Sequence, residues 1–159
     1  LADKPIWILG MGWCNDAASL ESRQWGSAAY IYTAAQMAYR QAGIRNPLEA
    51  VDFAEVDDTY AFKELQALEA LGVCRPGEAG EMTADGVTYP DGDFPVNASG
   101  GSLGVGHLLD ATGLMRALEA TLQLRGEAGA HQLEEVEVGL VQSWRGVPTT
   151  SGAVAILAN

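Results

Sequence analysis

Hydrophobic residues recur along this chain with two different periods. Between Gly26 and Ala42, the residues Ala28, Ile31, Tyr32, Ala35, Ala38 and Tyr39 fall at helical spacing, and Gly43 stands where a C-terminal stop belongs. This predicts an amphipathic helix with a small-residue face suited to close packing. Phe62, Leu65, Leu68 and Leu71 before Gly72 predict a second helix, and Leu108, Ala111, Met115, Leu118 and Leu122 predict a third ending near Gly126. The other period is that of strands. Pro5 to Leu9 is a short apolar run that predicts a buried strand closed by Gly10-Met11-Gly12. Val51 to Val56 alternates, Val136, Val138 and Leu140 alternate again, and Gly152 to Leu157 makes a last strand. The order β, α, β, α, loop, α, β, β predicts an α/β fold with a mixed sheet and packed helices. Its last two strands form a hairpin across Trp144 to Thr150.

Two stretches follow neither period. Residues 77–93 are dense in Gly, Pro, Asp and Glu and read as a long surface excursion, or an arm reaching toward a partner, within a single domain of residues 1–159. Pro95 to His107 then packs four glycines and a histidine into a short span.

Charge narrows the range of partners. Against 21 acidic residues stand 9 basic ones, a formal net charge of −12 that repels nucleic acid and anionic lipid. An anionic cofactor would need local positive charge, for which Lys63, Arg75, Arg116, Arg125 and Arg145 are the candidates. No apolar run approaches the ~20 residues of a spanning helix. Cys14 and Cys74 are far apart without a Cys-x-x-Cys spacing, which favours reduced thiols and a cytoplasmic setting. The chain starts at Leu1, which reads as a piece of something longer.

Candidate chemistry centres on the glycine-rich stretch. Gly100, Gly101, Gly104 and Gly106 let backbone approach a ligand closely, and His107 adds a side chain that exchanges protons near neutral pH. The alternative is a tight structural loop with a hydrogen-bonded histidine. Asp57 and Asp58 either cap the second helix or serve as acid, base or orienting group for His107. Tyr60 either packs or supplies a phenolic proton. His131 lies in a polar run and reads as solvent-exposed, and the His and Cys spacings give no metal site. Gly10-Met11-Gly12 lacks the third glycine of a dinucleotide loop.

From about Pro5 onward the chain resembles the C-terminal half of thiolase-superfamily proteins of the sterol-carrier-protein and archaeal acetyl-CoA acetyltransferase type. Val96-Asn-Ala-Ser-Gly-Gly-Ser-Leu-Gly-Val-Gly-His107-Leu-Leu-Asp-Ala-Thr-Gly113 is similar to the family's Asn-x-x-Gly-Gly followed by Gly-His-Pro-x-Gly-Ala-Thr-Gly. Ala54-Glu-Val-Asp-Asp-Thr-Tyr60, Glu69-Ala-Leu-Gly and Gln123-Leu-Arg-Gly126 add ordered matches. The resemblance implies half of a layered αβαβα fold, completed by an N-terminal half that carries a nucleophilic cysteine, in a protein that usually dimerises. It also implies a coenzyme A thioester as substrate, with no covalently bound cofactor. His107 would activate the cysteine and polarise a thioester oxygen. Asp57 and Tyr60 would share the catalytic site, and Asp58, Asn97, Gly100, Gly101 and Gly146 would shape the substrate site.

Several departures fall at catalytic positions. Asp57-Asp58-Thr59-Tyr60 replaces the family's Asn-Glu-Ala-Phe or His-Asp-x-Phe, so a negative charge stands where an enolate oxygen is stabilised. Gln142-Ser-Trp-Arg-Gly146 replaces the loop of the second catalytic cysteine, and Leu108 replaces the proline of Gly-His-Pro. Three readings follow: a subunit of a thiolase-like acyltransferase, a retro-aldolase subunit, or a non-catalytic domain that binds acyl-CoA or acts as a scaffold.

Overall fold

A computed structural model describes residues 4–147 and 150–159. Four strands form one mixed sheet: β1 (Trp7–Asn15), β2 (Phe53–Glu55), β3 (Val138–Arg145) and β4 (Ser151–Ala158), in the order β1-β4-β3-β2. β4 runs antiparallel to both neighbours, and β2 runs parallel to β3. The expected hairpin is present, with Arg145 opposite Ser151 across the turn. Pro148 and Thr149 of that turn lie outside the described residues. Among the described residues, no helix is long and apolar enough to cross a membrane.

The helices are α1 (Ala29–Ala42), α2 (Pro47–Ala50), α3 (Ala61–Leu71), α4 (Ala79–Ala84), α5 (Gly101–Val105) and α6 (Thr112–Arg125). The three long ones end at Gly43, Gly72 and Gly126, each in the left-handed conformation that closes a helix. α1 and α3 pack on one sheet face around Leu140, Val154 and Ile156. α6 packs on the other, over Phe53, Val141 and Leu157.

The small-residue face of α1 finds its counterpart in β1. A Cβ on Gly10 would overlap the carbonyl oxygen of Ala38, and one on Gly12 that of Ala34. Helix and strand therefore touch backbone to backbone, which gives the Gly-x-Gly a packing role.

Three sequence expectations need correction. The first strand does not stop at Leu9 but runs on through Gly10 and Gly12 to Asn15, and it is an edge strand rather than a buried one. Its register places Met11 opposite Ala155 and Trp13 opposite Ala153, on the α6 side of the sheet. α6 covers β2 and β3 there and leaves β1 bare. The glycine-rich stretch is not all loop, because residues 101–105 wind into α5. The third helix starts at Thr112, since Leu109–Ala111 form a separate 3₁₀ turn. Residues 77–93 carry α4, with Ala79 and Thr88 buried and the other side of the segment facing solvent.

Candidate functional site

The C-terminal ends of β2 and β3 deliver two chain segments to the same place. Beyond β2 come Val56, Asp57 and Asp58, all buried, and beside them the glycine-rich stretch returns with Asn97 bonded through its N–H to the Ala54 carbonyl. α6 contributes Arg116, which is 0% exposed.

Arg116 organises this junction. Its guanidinium lies 3.1 Å from Asp57 Oδ2 and 3.5 Å from Asp58 Oδ1, and donates to the Val56 carbonyl at 3.0 Å and to Ser102 Oγ at 2.8 Å. A buried carboxylate pair without such a cation would carry a heavy desolvation cost. The Asp58 carboxylate in turn accepts the backbone N–H groups of Ser102 at 2.6 Å and Leu103 at 3.2 Å, and so caps α5. Gly101 must be glycine here: its φ is 59°, and a Cβ would strike the Asp58 carboxylate.

Further polar side chains tie the same segments together. Asn97 accepts the Val56 N–H at 2.8 Å and donates to Glu64 at 2.7 Å. Gln142 accepts the Asp57 N–H at 2.9 Å. Glu55 receives the Ser99 hydroxyl at 2.7 Å and its N–H at 3.1 Å. Burial pushes the Glu55 carboxyl above its ordinary range, with the Ser99 bonds opposing the shift, and burial likewise raises Glu64 against its bond from Asn97.

His107 leaves this anchored segment on the exposed side. Its Nδ1 accepts the Leu109 N–H at 3.0 Å, so a neutral ring carries its proton on Nε2. The histidine faces an open cavity of about 800 Å³ at the β3–β4 turn end of the sheet, lined both from the α1 and α3 side and from the start of α6. Tyr60, Thr59, Lys63, Trp144 and Gly146 also line it, as do Trp13, Trp25 and Tyr30. Tyr60 stacks on Phe62 with centroids 5.8 Å apart and meets Trp144 edge-on at 6.3 Å. Three of the chain's four tryptophans share this wall.

Of the residues singled out by sequence, His107, Tyr60 and Gly146 come together on the cavity. Asp57, Asp58, Asn97, Gly100 and Gly101 do not line it; they stand behind, holding α5 in place. The expected contact of Asp57 with His107 is absent, because Arg116 and the Thr59 N–H take the carboxylate. The negative charge that sequence placed at an enolate site is thus neutralised in the interior. His131 is exposed, as expected, and lies 3.2 Å from Glu119. Among the described residues there is no cluster of three or more metal-binding side chains.

Sequence reasoning missed Glu55, Gln142 and Trp144 as parts of the site, and it offered Arg116 only as a candidate positive charge for an anionic cofactor, whereas the structure buries it against Asp57 and Asp58. The apolar stripe gave no signal for Arg116: the buried residues of α6 are Thr112, Arg116, Ala120, Gln123 and Leu124, off the stripe of Met115, Leu118 and Leu122.

Comparison with known proteins agrees with this architecture. The family model described as "Thiolase C-terminal domain-like" matches residues 14–159. An acetyl-CoA acetyltransferase of Methanothermobacter thermautotrophicus is 43% identical over 106 residues, 67% of this chain and 27% of that protein. Sterol carrier protein 2 of Bos taurus is 38% identical over 107 residues, 67% of this chain and 19% of that protein. The chain therefore spans under a third of the length of either relative. The solved Ltp2-ChsH2(DUF35) aldolase superposes with a TM-score of 0.84 and 28% identity, over 97% of this chain and 39% of that one.

Proposed function

The chain belongs to the thiolase C-terminal domain-like family, and on that premise we propose that it is the His107-bearing half of an active site acting on acyl-CoA thioesters. An N-terminal half outside this chain completes the site. The observation that carries the reading is the tautomer of His107: with Nδ1 engaged by the Leu109 N–H, its Nε2–H is free to face a ligand in the cavity. Such a donor stabilises the oxygen of a thioester as it gains negative charge, and the network around Arg116 holds it without reorganisation. The coenzyme is a substrate, and no covalently bound cofactor is called for.

The apolar surface fits the missing half. Ile8, Met11 and Trp13 are 55–66% exposed on the α6 side of the sheet. On α6 itself, Leu114 and Leu118 are 75% and 56% exposed. A patch of this kind marks a surface that another unit covers. Dimerisation of the completed protein follows the family pattern.

Retro-aldol cleavage is the form of the reaction favoured by the cavity. A β-hydroxyacyl thioester would lose its hydroxyl proton to a base, and its Cα–Cβ bond would break to leave a carbonyl product and a thioester enolate. His107 Nε2–H would hold the enolate oxygen, and a proton donor such as Tyr60 would return a proton to Cα. Tyr60 is on the wall and 55% exposed. The overall likeness to a solved aldolase supports the same choice.

The test is cleavage of β-hydroxyacyl-CoA and acyl exchange of acyl-CoA by the assembled protein, with His107→Ala beside it. A fall in kcat of roughly 10²–10³ is expected from loss of one oxyanion donor. Unchanged turnover would remove His107 from the chemistry, and binding without turnover in the wild type would leave a non-catalytic acyl-CoA-binding domain.

A further inference from the structure

Lys63 stands at the first turn of α3 and on the cavity wall, in surroundings unusual for a lysine. Its ammonium nitrogen lies 4.6 Å from the centroid of the Trp144 ring and 5.7 Å from those of Tyr30 and Phe62. It donates to Tyr30 Oη at 3.1 Å and to Gln66 Oε1 at 2.6 Å. An ammonium has three N–H groups, and these two acceptors take two of them.

No carboxylate among the described residues is within ion-pair distance of this nitrogen. The two whose charge reaches it are engaged elsewhere: Asp57 lies 3.1 Å from Arg116, and Asp16 lies 4.0 Å from Arg23. Tyr30 stays protonated, because burial and then the charge of Asp16 raise its phenol. The three rings favour a cation in their midst, whereas partial burial disfavours an uncompensated one. An anionic oxygen arriving from the cavity resolves that conflict by accepting the third N–H.

We infer that Lys63 is the recognition point for a carboxylate carried by the apolar ligand of this cavity. The third N–H offers a single hydrogen bond between aromatic faces, which suits one carboxylate oxygen at the end of an apolar group. A phosphate chain with several charges would need more donors than this position supplies. That the carboxylate sits on the acyl chain of a thioester, making the substrate an ω-carboxyacyl-CoA, rests on the function proposed above; the carboxylate site does not.

The experiment separates the two. 2-Naphthoate, its neutral amide 2-naphthamide, and inorganic pyrophosphate are titrated calorimetrically into the 159-residue chain, into Lys63→Met and into Lys63→Arg. The wild type should prefer naphthoate over naphthamide by roughly tenfold or more, as a charge-assisted bond implies. Lys63→Met should lose the preference and Lys63→Arg should keep most of it. Equal binding of acid and amide by the wild type overturns the proposal, whether or not Lys63→Met folds. So does a preference that survives in a folded Lys63→Met, or tighter binding of pyrophosphate than of naphthoate. None of these readouts uses coenzyme A, so a failed thioester assay leaves them intact.

Discussion

Behind His107 the chain buries five polar side chains, Glu55, Asp57, Asp58, Arg116 and Gln142, each no more than 2% exposed. Across β1 it does the reverse, leaving Ile8, Met11 and Trp13 at 61%, 55% and 66% exposure. Both regions depart from the ordinary arrangement of polar outside and apolar inside. The first is closed to solvent: Arg116 meets Asp57, Asp58, Ser102 and the Val56 carbonyl, so the two aspartates are answered within the chain, while Gln142 Nε2 is buried without a hydrogen-bond partner. The second is open, because no residue described here covers it. A closed polar cluster should govern the chain's own stability and the placement of His107. An open apolar face should govern association.

The largest expected effect comes from opening the closed region. Arg116→Met strands two buried carboxylates that share one cation, and breaking such a pair costs about 3–5 kcal/mol. Urea unfolding followed by circular dichroism measures this directly. A loss below about 1 kcal/mol would mean that water reaches Asp57 and Asp58 and that the cluster is not sealed.

How far the sequence reveals each region follows from the same contrast. Helical periods marked α1, α3 and α6, and alternation marked β2 and β3; on α1 the marked face is the one buried within the chain, whereas on α6 the marked Leu118 is exposed and Thr112, Arg116, Ala120, Gln123 and Leu124 are buried instead. β1 was misread because Trp7, Ile8 and Leu9 carry the composition of a buried strand, while among the described residues nothing covers them. Composition cannot distinguish a core from an interface. The motif around His107 was read as a place where backbone approaches a ligand, but what Gly101 approaches is the chain's own Asp58 carboxylate. The roles of Asp57 and Asp58 were not legible. Their partner Arg116 is 59 residues from Asp57 and 58 from Asp58 in sequence, and only the packing of α6 on β2 and β3 brings them together.

A smaller effect tests the closed region through pH. The Glu55 carboxyl is raised above its ordinary value of 4.5, chiefly by burial. A carboxylate raised on folding adds stability that is complete below its unfolded pKa and is lost as pH climbs through the folded value. Between pH 4.5 and neutrality, Glu55 should therefore make the native state progressively less stable. Glu55→Gln keeps an acceptor for Ser99 and should remove this component, so the variant gains on the wild type as pH rises. Urea midpoints at pH 4.5 and 7 compare the two; a gap that narrows toward neutrality would show that Glu55 ionises more easily in the fold than in the unfolded chain.

The smallest effect on stability should come from the open region, and that smallness is what separates it from a core. Trp13 is 66% exposed, its partner across the register is Ala153, and α1 packs on the opposite side of β1 at Gly10 and Gly12. Removing the indole therefore takes little packing from this chain, and Trp13→Ser should shift its unfolding free energy by no more than about 0.5 kcal/mol. Association should respond far more. The chain alone, with its apolar face unmet, should self-associate at high concentration in light scattering, and the Ser variant should do so less. If Trp13→Ser instead unfolds the chain while its state of association is unchanged, then β1 belongs to the core after all, and the surface assigned to the N-terminal half has to be sought on α6 alone.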